Sequence, residues 1–234
     1  VREVFIRLYE KDLIYRGRYI INWCPRCTTA LSNEEVEDRD QAGKLYRIRY
    51  PLVAGGSIEV ATTRPETLLG DTALAVHPDD ERYRSLVGSS AELPLVGRLL
   101  NVIADQYVDP EFGSGVVKIT PAHDPNDFDV GERHELEVLD VMTDSGSMND
   151  TVPKPYRGLD RFEARYRIVS DLEVGGFLVA TEDHAHSLGH CYRCDTVVEP
   201  RLSLQWFVRM KPLAEPALAA FLRGDLRFHP ARYG

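Results

Sequence analysis

Four cysteines, arranged as two C-x-x-C pairs, are the residues of this sequence best suited to hold a metal ion. Cys24 and Cys27 lie in "WCPRC", Cys191 and Cys194 lie in "HCYRC", and the chain has no other cysteine. A two-residue spacer lets both sulfurs of a pair reach one tetrahedral ion at about 2.3 Å, and four thiolates favour structural zinc. The pairs of an ordinary zinc ribbon are about 15 to 20 residues apart. Here most of the chain separates them, which indicates an insertion whose ends the metal ion holds together.

Two other interpretations of the cysteines stay open. "WCPRC" is similar to a thioredoxin-type redox motif, in which a tryptophan precedes a C-x-x-C at the start of a helix. Alternatively, each pair belongs to a separate element that contains cysteine for unrelated reasons. A redox site needs only one pair and leaves "HCYRCD" unexplained, so the spacing favours the shared metal site.

Two polar stretches between the cysteine pairs contain the residue types of a ligand pocket. Residues 61–71 read "ATTRPETLLGD" and residues 115–128 read "GVVKITPAHDPNDF". A proline in the first stretch breaks strand pairing, so hydroxyls and a guanidinium can leave the sheet together. Hydroxyls, carboxylates and two cations in one place predict a pocket for a small, cationic, hydroxylated ligand. The candidate residues are Thr62, Thr63, Arg64, Thr67, Lys118, Thr120, Asp124 and Asp127.

A simpler interpretation competes with the pocket for each residue taken singly. The threonines are ordinary strand residues, Arg64 pairs with Glu66, and the two aspartates cap turns. Only the whole set of residues favours a pocket.

The segments that must position these residues are mostly short strands. Alternation with a period of two begins after Gly43 and recurs in residues 46–50, 57–63, 72–78, 99–108 and 113–120, separated by Gly, Pro and Asp. This series predicts a closed or nearly closed β-barrel. The predicted fold class is therefore mixed α+β, with a barrel-rich domain, flanking helices and a zinc knuckle.

Helical spacing predicts three helices outside these strands. The first occupies residues 1–17 and ends at Gly17, and the third occupies residues 214–224. The second lies within residues 159–176, with Asp160 as its N-cap. Its predicted apolar face contains Phe162, Tyr166, Val169 and Leu172.

The composition excludes several classes of protein. The 234 residues contain 28 Lys and Arg against 37 Asp and Glu, a formal charge of −9, which argues against a long grip on a nucleic-acid backbone. There is no apolar run of about 18 residues and no signal segment, so we expect no membrane span and no secretion. The chain starts at Val1 in a helical pattern and ends at Gly234, and we expect it to be a piece of a longer protein.

Five segments resemble one enzyme family. They read "NWCPRCTTALSNEEVE", "ATTRPETLLGDTALAVHP", "GSGVVKITPAHDPNDFDVGERH", "PYRGLDRFEARYRIVSDL" and "GHCYRCDTVVEPRLSLQWFVRMKPLAEPA". Together they resemble the class I valyl-tRNA synthetases in the region of their inserted editing domain, nearly from end to end of the chain. Leucyl- and isoleucyl-type synthetases carry related insertions and are the alternative family. The ATP-binding signatures HIGH and KMSKS are absent from this sequence.

The resemblance implies an editing reaction, the hydrolysis of the mischarged aminoacyl ester Thr-tRNA(Val). By this resemblance, Asp127 accepts a hydrogen bond from the threonine hydroxyl, and Asp124 binds the α-ammonium. Lys118 and Thr120 belong to the same catalytic subsite, and we expect water to attack directly because no nucleophile–base pair is evident. The implied substrate-binding residues are Thr62, Thr63, Arg64 and Thr67. His123 adjoins the pocket and is assigned no role.

The resemblance also implies the organisation and partners of the chain. Residues 1–42 and 183–234 would be stems, each carrying half of the zinc knuckle, and residues 43–182 the editing domain. The expected partners are the 3′ end of aminoacylated tRNA(Val) and the aminoacylation domain of the parent enzyme, in a cytoplasmic monomer. A non-enzymatic zinc-ribbon module for nucleic acid or protein and a dithiol oxidoreductase remain as alternatives. Neither alternative explains the polar turn "KITPAHDPND".

Overall fold

The protein is described by a computed structural model that covers residues 1–233. The α-helices in this range are α1 (Arg2–Glu10), α2 (Pro125–Arg133), α3 (Arg161–Val174) and α4 (Lys211–Leu222). The strands are β1 (Ile14–Cys24), β2 (Thr29–Leu31), β3 (Val36–Pro51), β4 (Ser57–Thr62), β5 (Ala73–Val76), β6 (Ser90–Glu92), β7 (Leu99–Ala104), β8 (Val116–Ile119), β9 (Leu178–Cys191) and β10 (Glu199–Val208). A 3-10 helix covers Pro65–Gly70. The mixed α+β class predicted from the sequence is confirmed.

The strands form three sheets whose orders are β4-β3-β9, β6-β7-β5-β8 and β10-β1-β2. The longest ladder joins β3 to β9, antiparallel, from Val36 opposite Cys191 to Ile48 opposite Leu178. In the four-stranded sheet β5 pairs in parallel with β7 and antiparallel with β8. The pairing of β3 with β9 places Cys191 opposite Val36, so the second cysteine pair lies beside the segment that follows the first pair.

The predicted barrel is not a closed one. A bridge between Leu52 and Ala91 joins one corner of the β4-β3-β9 sheet to β6. On the other side, β4 and β8 are both edge strands of their sheets, and no ladder connects them within residues 1–233. A closed barrel requires an unbroken ring of backbone hydrogen bonds between neighbouring strands. The β8 strand offers only four residues for pairing with β4.

A shared apolar core lies between the β4-β3-β9 sheet, the β6-β7-β5-β8 sheet and α3. The inward residues of β3 and β4, Ile48, Tyr50, Ile58 and Val60, pack with Leu74 and Val76 of β5 and with Ala164, Ile168 and Leu172 of α3. The alternation of buried and exposed residues along β4 gives this face, as expected for a strand with a single buried side. The α3 helix starts at its predicted cap, because Asp160 accepts a hydrogen bond from the Phe162 N–H.

Two predictions about helices are wrong, the second only in part. The first helix ends at Glu10, and Gly17 lies inside β1, because Asp12 adopts a left-handed conformation (φ 55°) and β1 begins at Ile14. On α3 the predicted apolar face is right for Leu172, which is buried, and wrong for Tyr166, which is 76% exposed; Ala164 and Ile168 complete the buried face.

The chain divides into two compact units, one formed by Ile20–Leu202 and one by Val1–Tyr19 with Ser203–Gly234. In the second unit, Phe5 and Tyr9 of α1 pack edge-on against Trp206, with ring centroids 5.5 and 6.2 Å apart. The predicted boundaries at residues 42 and 182 fall inside β3 and β9 and remain a prediction. Within the described residues, no helix is both long and apolar enough to cross a membrane.

Candidate functional site

The four cysteines come together at one end of the β3–β9 ladder. Their sulfur atoms all lie within 4.8 Å of one another, and Cys24 Sγ is 3.4 Å from Cys194 Sγ. Each pair begins at the last residue of a strand, Cys24 in β1 and Cys191 in β9, and continues into the turn that follows. A tetrahedral ion with bonds of about 2.3 Å places its sulfurs about 3.8 Å apart, so these side chains fit one such ion. The juxtaposition predicted from the spacing is confirmed.

Trp23 of "WCPRC" serves the packing of this region. Its Nε1–H donates to the Asp144 carbonyl at 2.8 Å, and the Arg201 guanidinium lies 5.9 Å from its ring centroid. The tryptophan therefore anchors the loop around Asp144. The first C-x-x-C pair lies next to the second pair.

All eight predicted pocket residues line one cavity of about 570 Å³. The cavity lies within residues 20–202, where β4, the 3-10 helix, β8 and the start of α2 meet. Tyr107, Phe112 and His123 also line it. Their common location means that the residues can act together; it does not by itself give each one a role.

A buried hydrogen-bond network holds one wall of the cavity. Lys118 Nζ donates to Thr67 Oγ1 at 2.9 Å and to Thr120 Oγ1 at 2.6 Å, and it lies 3.3 Å from Asp71 Oδ1. Thr120 Oγ1 donates to the same Asp71 oxygen at 2.6 Å, and Tyr50 Oη donates to Asp71 Oδ2 at 2.7 Å. All three ammonium N–H groups of Lys118 thus have partners, so this residue orients the two threonines.

Asp71 is the centre of this network and is completely buried. Burial raises the pKa of its carboxyl group, and the contacts with Lys118, Thr120 and Tyr50 oppose that rise. A buried carboxylate is tolerated only when paired and hydrogen-bonded, and these three donors meet that requirement. Asp71 ends the quoted stretch at residues 61–71, but sequence reasoning did not identify it as functional. Its side-chain partners lie 21 to 49 residues away in sequence.

The start of α2 places two carboxylates at the cavity. Asp124 is the N-cap, and its Oδ1 accepts from the backbone N–H groups of Asn126 (2.8 Å) and Asp127 (3.2 Å). Asp127 Oδ2 accepts from the Thr120 N–H at 2.9 Å. The α2 backbone approaches the preceding turn closely, because a Cβ on Gly131 would lie 2.8 Å from Pro121 Cγ.

The far end of α2 is fixed by Asp105. Its carboxylate contacts Arg133 Nη2 at 2.9 Å and His134 Nε2 at 2.9 Å. With both ends of the helix held, the two aspartates at its start have defined positions.

Asp127 is a buried carboxyl group of the cavity whose pKa is strongly raised. Burial, opposed by Lys118 and reinforced by Asp124, raises the pKa of Asp127 to about 7. Neither Asp124 nor Asp127 has a salt bridge within residues 1–233, whereas Asp71, Glu66 and Glu199 each pair with a cationic side chain. The start of α2 therefore presents to the cavity two carboxyl groups without a salt bridge.

Arg64 contacts the turn that precedes α2 and is held by three acceptors. Its Nε donates to Glu66 Oε1 at 3.1 Å, its Nη1 donates to the His123 carbonyl at 3.1 Å, and its Nη2 pairs with Glu199 Oε2. Arg165 forms two further bonds to Glu66, both of 2.8 Å. The predicted Arg64–Glu66 pair is thus present, together with a Glu199 contact that sequence reasoning missed. No local signal joins residues 135 positions apart.

His123 is a structural residue. The Val141 N–H donates to its Nε2 at 3.0 Å, so this nitrogen is an acceptor and its lone pair is occupied. Burial, with Arg64 and Lys118 nearby, lowers the pKa of His123 to about 3. A neutral imidazole whose Nε2 lone pair is engaged is poorly placed to act as a general base.

Comparison with known proteins identifies relatives of the whole chain. A valine–tRNA ligase of Carboxydothermus hydrogenoformans is 63% identical over 234 residues, which are 100% of this chain and 26% of that protein. A valine–tRNA ligase of Thermotoga maritima is 58% identical over 234 residues, again 100% of this chain and 27% of that protein. The chain thus spans about a quarter of the length of the curated relatives it matches. These matches confirm the resemblance expected from the five segments.

A solved structure of an Agrobacterium radiobacter LeuRS, in a ternary complex with tRNA and LeuAMS, covers 85% of this chain and 35% of that chain, at 20% identity and a TM-score of 0.45. The family model described as tRNA synthetases class I (I, L, M and V) matches residues 1–233. The chain belongs to this family of class I tRNA synthetases.

Proposed function

We propose that this chain is the editing domain of a valine–tRNA ligase with its flanking stems, and that it hydrolyses the ester of Thr-tRNA(Val) after transfer. The observation that carries the proposal is the pair of unpaired carboxylates, Asp124 and Asp127, at the start of α2. A threonyl ester offers one α-ammonium and one hydroxyl. Two carboxyl groups without a salt bridge are suitable acceptors for these two donors.

Valine and threonine are nearly isosteric, which is the reason for a second site. An apolar pocket built for valine rejects the added hydroxyl of threonine only weakly. A pocket that hydrogen-bonds the hydroxyl makes the opposite selection, because valine leaves a buried polar group without a partner. Asp127, 6% exposed, is such a group in this cavity.

Each cavity residue receives a role consistent with its contacts. Asp127 accepts from the threonine hydroxyl, and Asp124 accepts from the α-ammonium through the oxygen that does not cap α2. Lys118 and Thr120 hold the wall against which Asp127 lies. The substrate-binding residues are Arg64, Thr67, Thr62 and Thr63, with the Arg64 guanidinium beside the terminal adenosine.

The reaction is hydrolysis by water positioned at the ester carbonyl. The threonine hydroxyls nearest the carboxylates already donate within the network, Thr120 to Asp71 and Thr67 to the Arg64 carbonyl, which disfavours them as nucleophiles. An activated ester needs mainly orientation of the water and the carbonyl, which a cavity with fixed walls supplies.

We also propose that Cys24, Cys27, Cys191 and Cys194 hold a structural zinc ion. A closed shell of four thiolates leaves no position for substrate, so the ion would stabilise the fold at the knuckle. The proposed partners are the 3′ end of aminoacylated tRNA(Val) and the aminoacylation domain, with residues 43–182 as the editing domain between two stems. We place the parent enzyme in the cytoplasm, as a monomer, with ATP bound outside this chain.

The experiment that tests this function compares the hydrolysis of two esters. Thr-tRNA(Val) and Val-tRNA(Val) are incubated with the chain, and free amino acid is measured over time. We expect the wild-type chain to release threonine faster than valine. We expect the Lys118→Met variant to accelerate neither reaction. Equal rates of release for both esters, or no release above the uncatalysed rate, would refute the proposal.

A further inference from the structure

Beside the cavity, five charged side chains form one continuous row. Arg165 pairs with Glu66, Glu66 with Arg64, Arg64 with Glu199, and Glu199 with Arg161, whose Nε lies 2.9 Å from Glu199 Oε1. Glu66 is completely buried and Glu199 is 7% exposed. Alternating charges at this depth have little water to screen them, so each contact strongly affects its neighbours.

Glu199 is the member of this row contributed by the chain that follows the cysteine cluster. It is the first residue of β10, five positions after Cys194. The intervening chain is tied down, because the Val198 N–H donates to the Gly189 carbonyl at 2.9 Å and Arg161 Nη2 donates to the Val197 carbonyl at 2.9 Å. The backbone immediately before Glu199 is therefore held in place.

Arg64 has two charged partners, Glu66 and Glu199, and it shares each of them with a second arginine. Glu66 already receives two bonds from Arg165, and the His123 carbonyl carries no charge. Glu199 Oε2 contacts Arg64, while the other oxygen of the carboxylate faces Arg161. With three of its five N–H groups engaged, Arg64 keeps two donors for a ligand in the cavity.

We propose that Glu199 is a positioning residue for Arg64, and that it keeps this guanidinium at the cavity wall and away from the ammonium site. The inference rests on the proposed editing function. Without the negative charge of Glu199, Glu66 is the one carboxylate of the row that remains against three arginines, and it contacts both Arg64 and Arg165. Repulsion between the two guanidinium groups then drives Arg64 into the cavity, where its charge opposes that of the substrate ammonium.

A purely structural role for Glu199 makes a different kinetic prediction. If Glu199 only anchors Arg161 and the start of β10, its loss lowers the fraction of folded enzyme, so apparent kcat falls while KM stays constant. If Glu199 positions a substrate-binding arginine, its loss weakens binding of the ester, so KM rises while kcat is preserved.

The test is Glu199→Gln, which keeps the shape of the side chain and removes its charge. The matched control is Glu59→Gln, which breaks a glutamate–arginine pair, with Arg47, outside the cavity lining. We expect Glu199→Gln to raise the KM for Thr-tRNA(Val) about tenfold with kcat within about twofold of wild type. We expect Glu59→Gln to change neither constant by more than about twofold. In an Arg64→Ala background, Glu199→Gln should have no further effect on KM.

A second measurement does not depend on activity. The Nε–H resonance of Arg64, assigned by its loss in Arg64→Lys, reports solvent exchange of the guanidinium in ¹H–¹⁵N spectra. We expect this exchange to be about tenfold faster in Glu199→Gln than in wild type and unchanged in Glu59→Gln. An unchanged exchange rate, a fall in kcat at constant KM, or additivity with Arg64→Ala would overturn the inference. If the wild-type chain shows no deacylation but Glu199→Gln still speeds the exchange of the Arg64 Nε–H, the editing function is refuted and the positioning of Arg64 is retained.

Discussion

Selectivity for threonine should depend on pH, because Asp127 is about half ionised near neutrality. Burial, opposed by Lys118 and reinforced by Asp124, raises the pKa of this carboxyl group to about 7. Only the ionised form makes the charge-assisted bond to the threonine hydroxyl, which is worth about 1.5 to 3 kcal/mol. That energy corresponds to about a tenfold to hundredfold preference for threonine, which should appear as the pH rises through about 7.

The assay is the ratio of kcat/KM for Thr-tRNA(Val) to that for Val-tRNA(Val), measured from about pH 5.5 to about pH 8.5. The ratio removes the dependence on hydroxide that both esters share. We expect the ratio to increase at least about tenfold over this range, with its midpoint near the pKa of Asp127. Asp127→Asn, which keeps an acceptor for the Thr120 N–H, should lower the ratio and make it independent of pH.

Two results would refute this reasoning. A wild-type ratio that is constant with pH means that the ionisation of Asp127 does not govern selection. An Asp127→Asn variant with the wild-type ratio and a normal unfolding transition means that Asp127 serves only to fix the start of α2.

Four further predictions follow from the same contacts. First, the folded state binds the Asp127 proton more tightly than the unfolded state does, so the stability that this proton contributes is lost as pH rises from about 4 to about 7. Asp127→Asn should therefore be more stable than wild type to urea at about pH 8, by at most about 4 kcal/mol, and equally stable near pH 4. Second, Asp124→Asn should keep the helix cap and slow both esters by about tenfold, leaving the threonine-to-valine ratio constant in the same deacylation assay. Third, Asp71→Asn should slow Thr-tRNA(Val) hydrolysis by about tenfold or more and lower the thermal unfolding midpoint, because Lys118 loses its charged partner. Fourth, elemental analysis should find about one zinc per wild-type chain, and Cys194→Ser should lose it and increase hydrogen exchange first at the Val36 end of β3.

Local patterns were sufficient to predict some parts of the fold. The alternation in residues 57–63 and 113–120 predicted β4 and β8, and Asp160 with the following helical spacing predicted the start of α3. The convergence of the cysteines also followed from spacing, since each C-x-x-C pair supplies two of the four ligands that a tetrahedral ion needs. In each case the relevant physics acts over a few residues or concerns a single ion.

Other parts depend on partners that the local pattern does not specify. The buried face of α3 was predicted only in part, because apolar residues occur on both sides of that helix: Leu172 is buried as predicted, whereas Ala164 and Ile168 are buried in place of Tyr166. Closure of the barrel depends on whether β4 and β8 pair across the sheet ends, which strand propensity does not determine. The contacts of Tyr50 with Asp71 and of Arg64 with Glu199 likewise exist only once the sheets are assembled.

The hydrogen bonds of the cavity also divide its residues into those that support the site and those that can bind a ligand. Every ammonium N–H of Lys118 already has an acceptor, so variants at this position should lose activity and stability together. Asp124 and Asp127 accept only backbone N–H groups within the described chain, and each carboxylate has a second oxygen for the substrate. Lys118, Arg64 and Arg165 each pair with a carboxylate of Asp71, Glu66 or Glu199, whereas the two carboxyl groups at the start of α2 have no salt bridge within residues 1–233. The negative charge that these two groups carry attracts the ammonium of an aminoacyl ester and disfavours a free carboxylate. The same charge distribution would favour release of the free amino acid after hydrolysis, since the reaction creates a carboxylate next to these two aspartates.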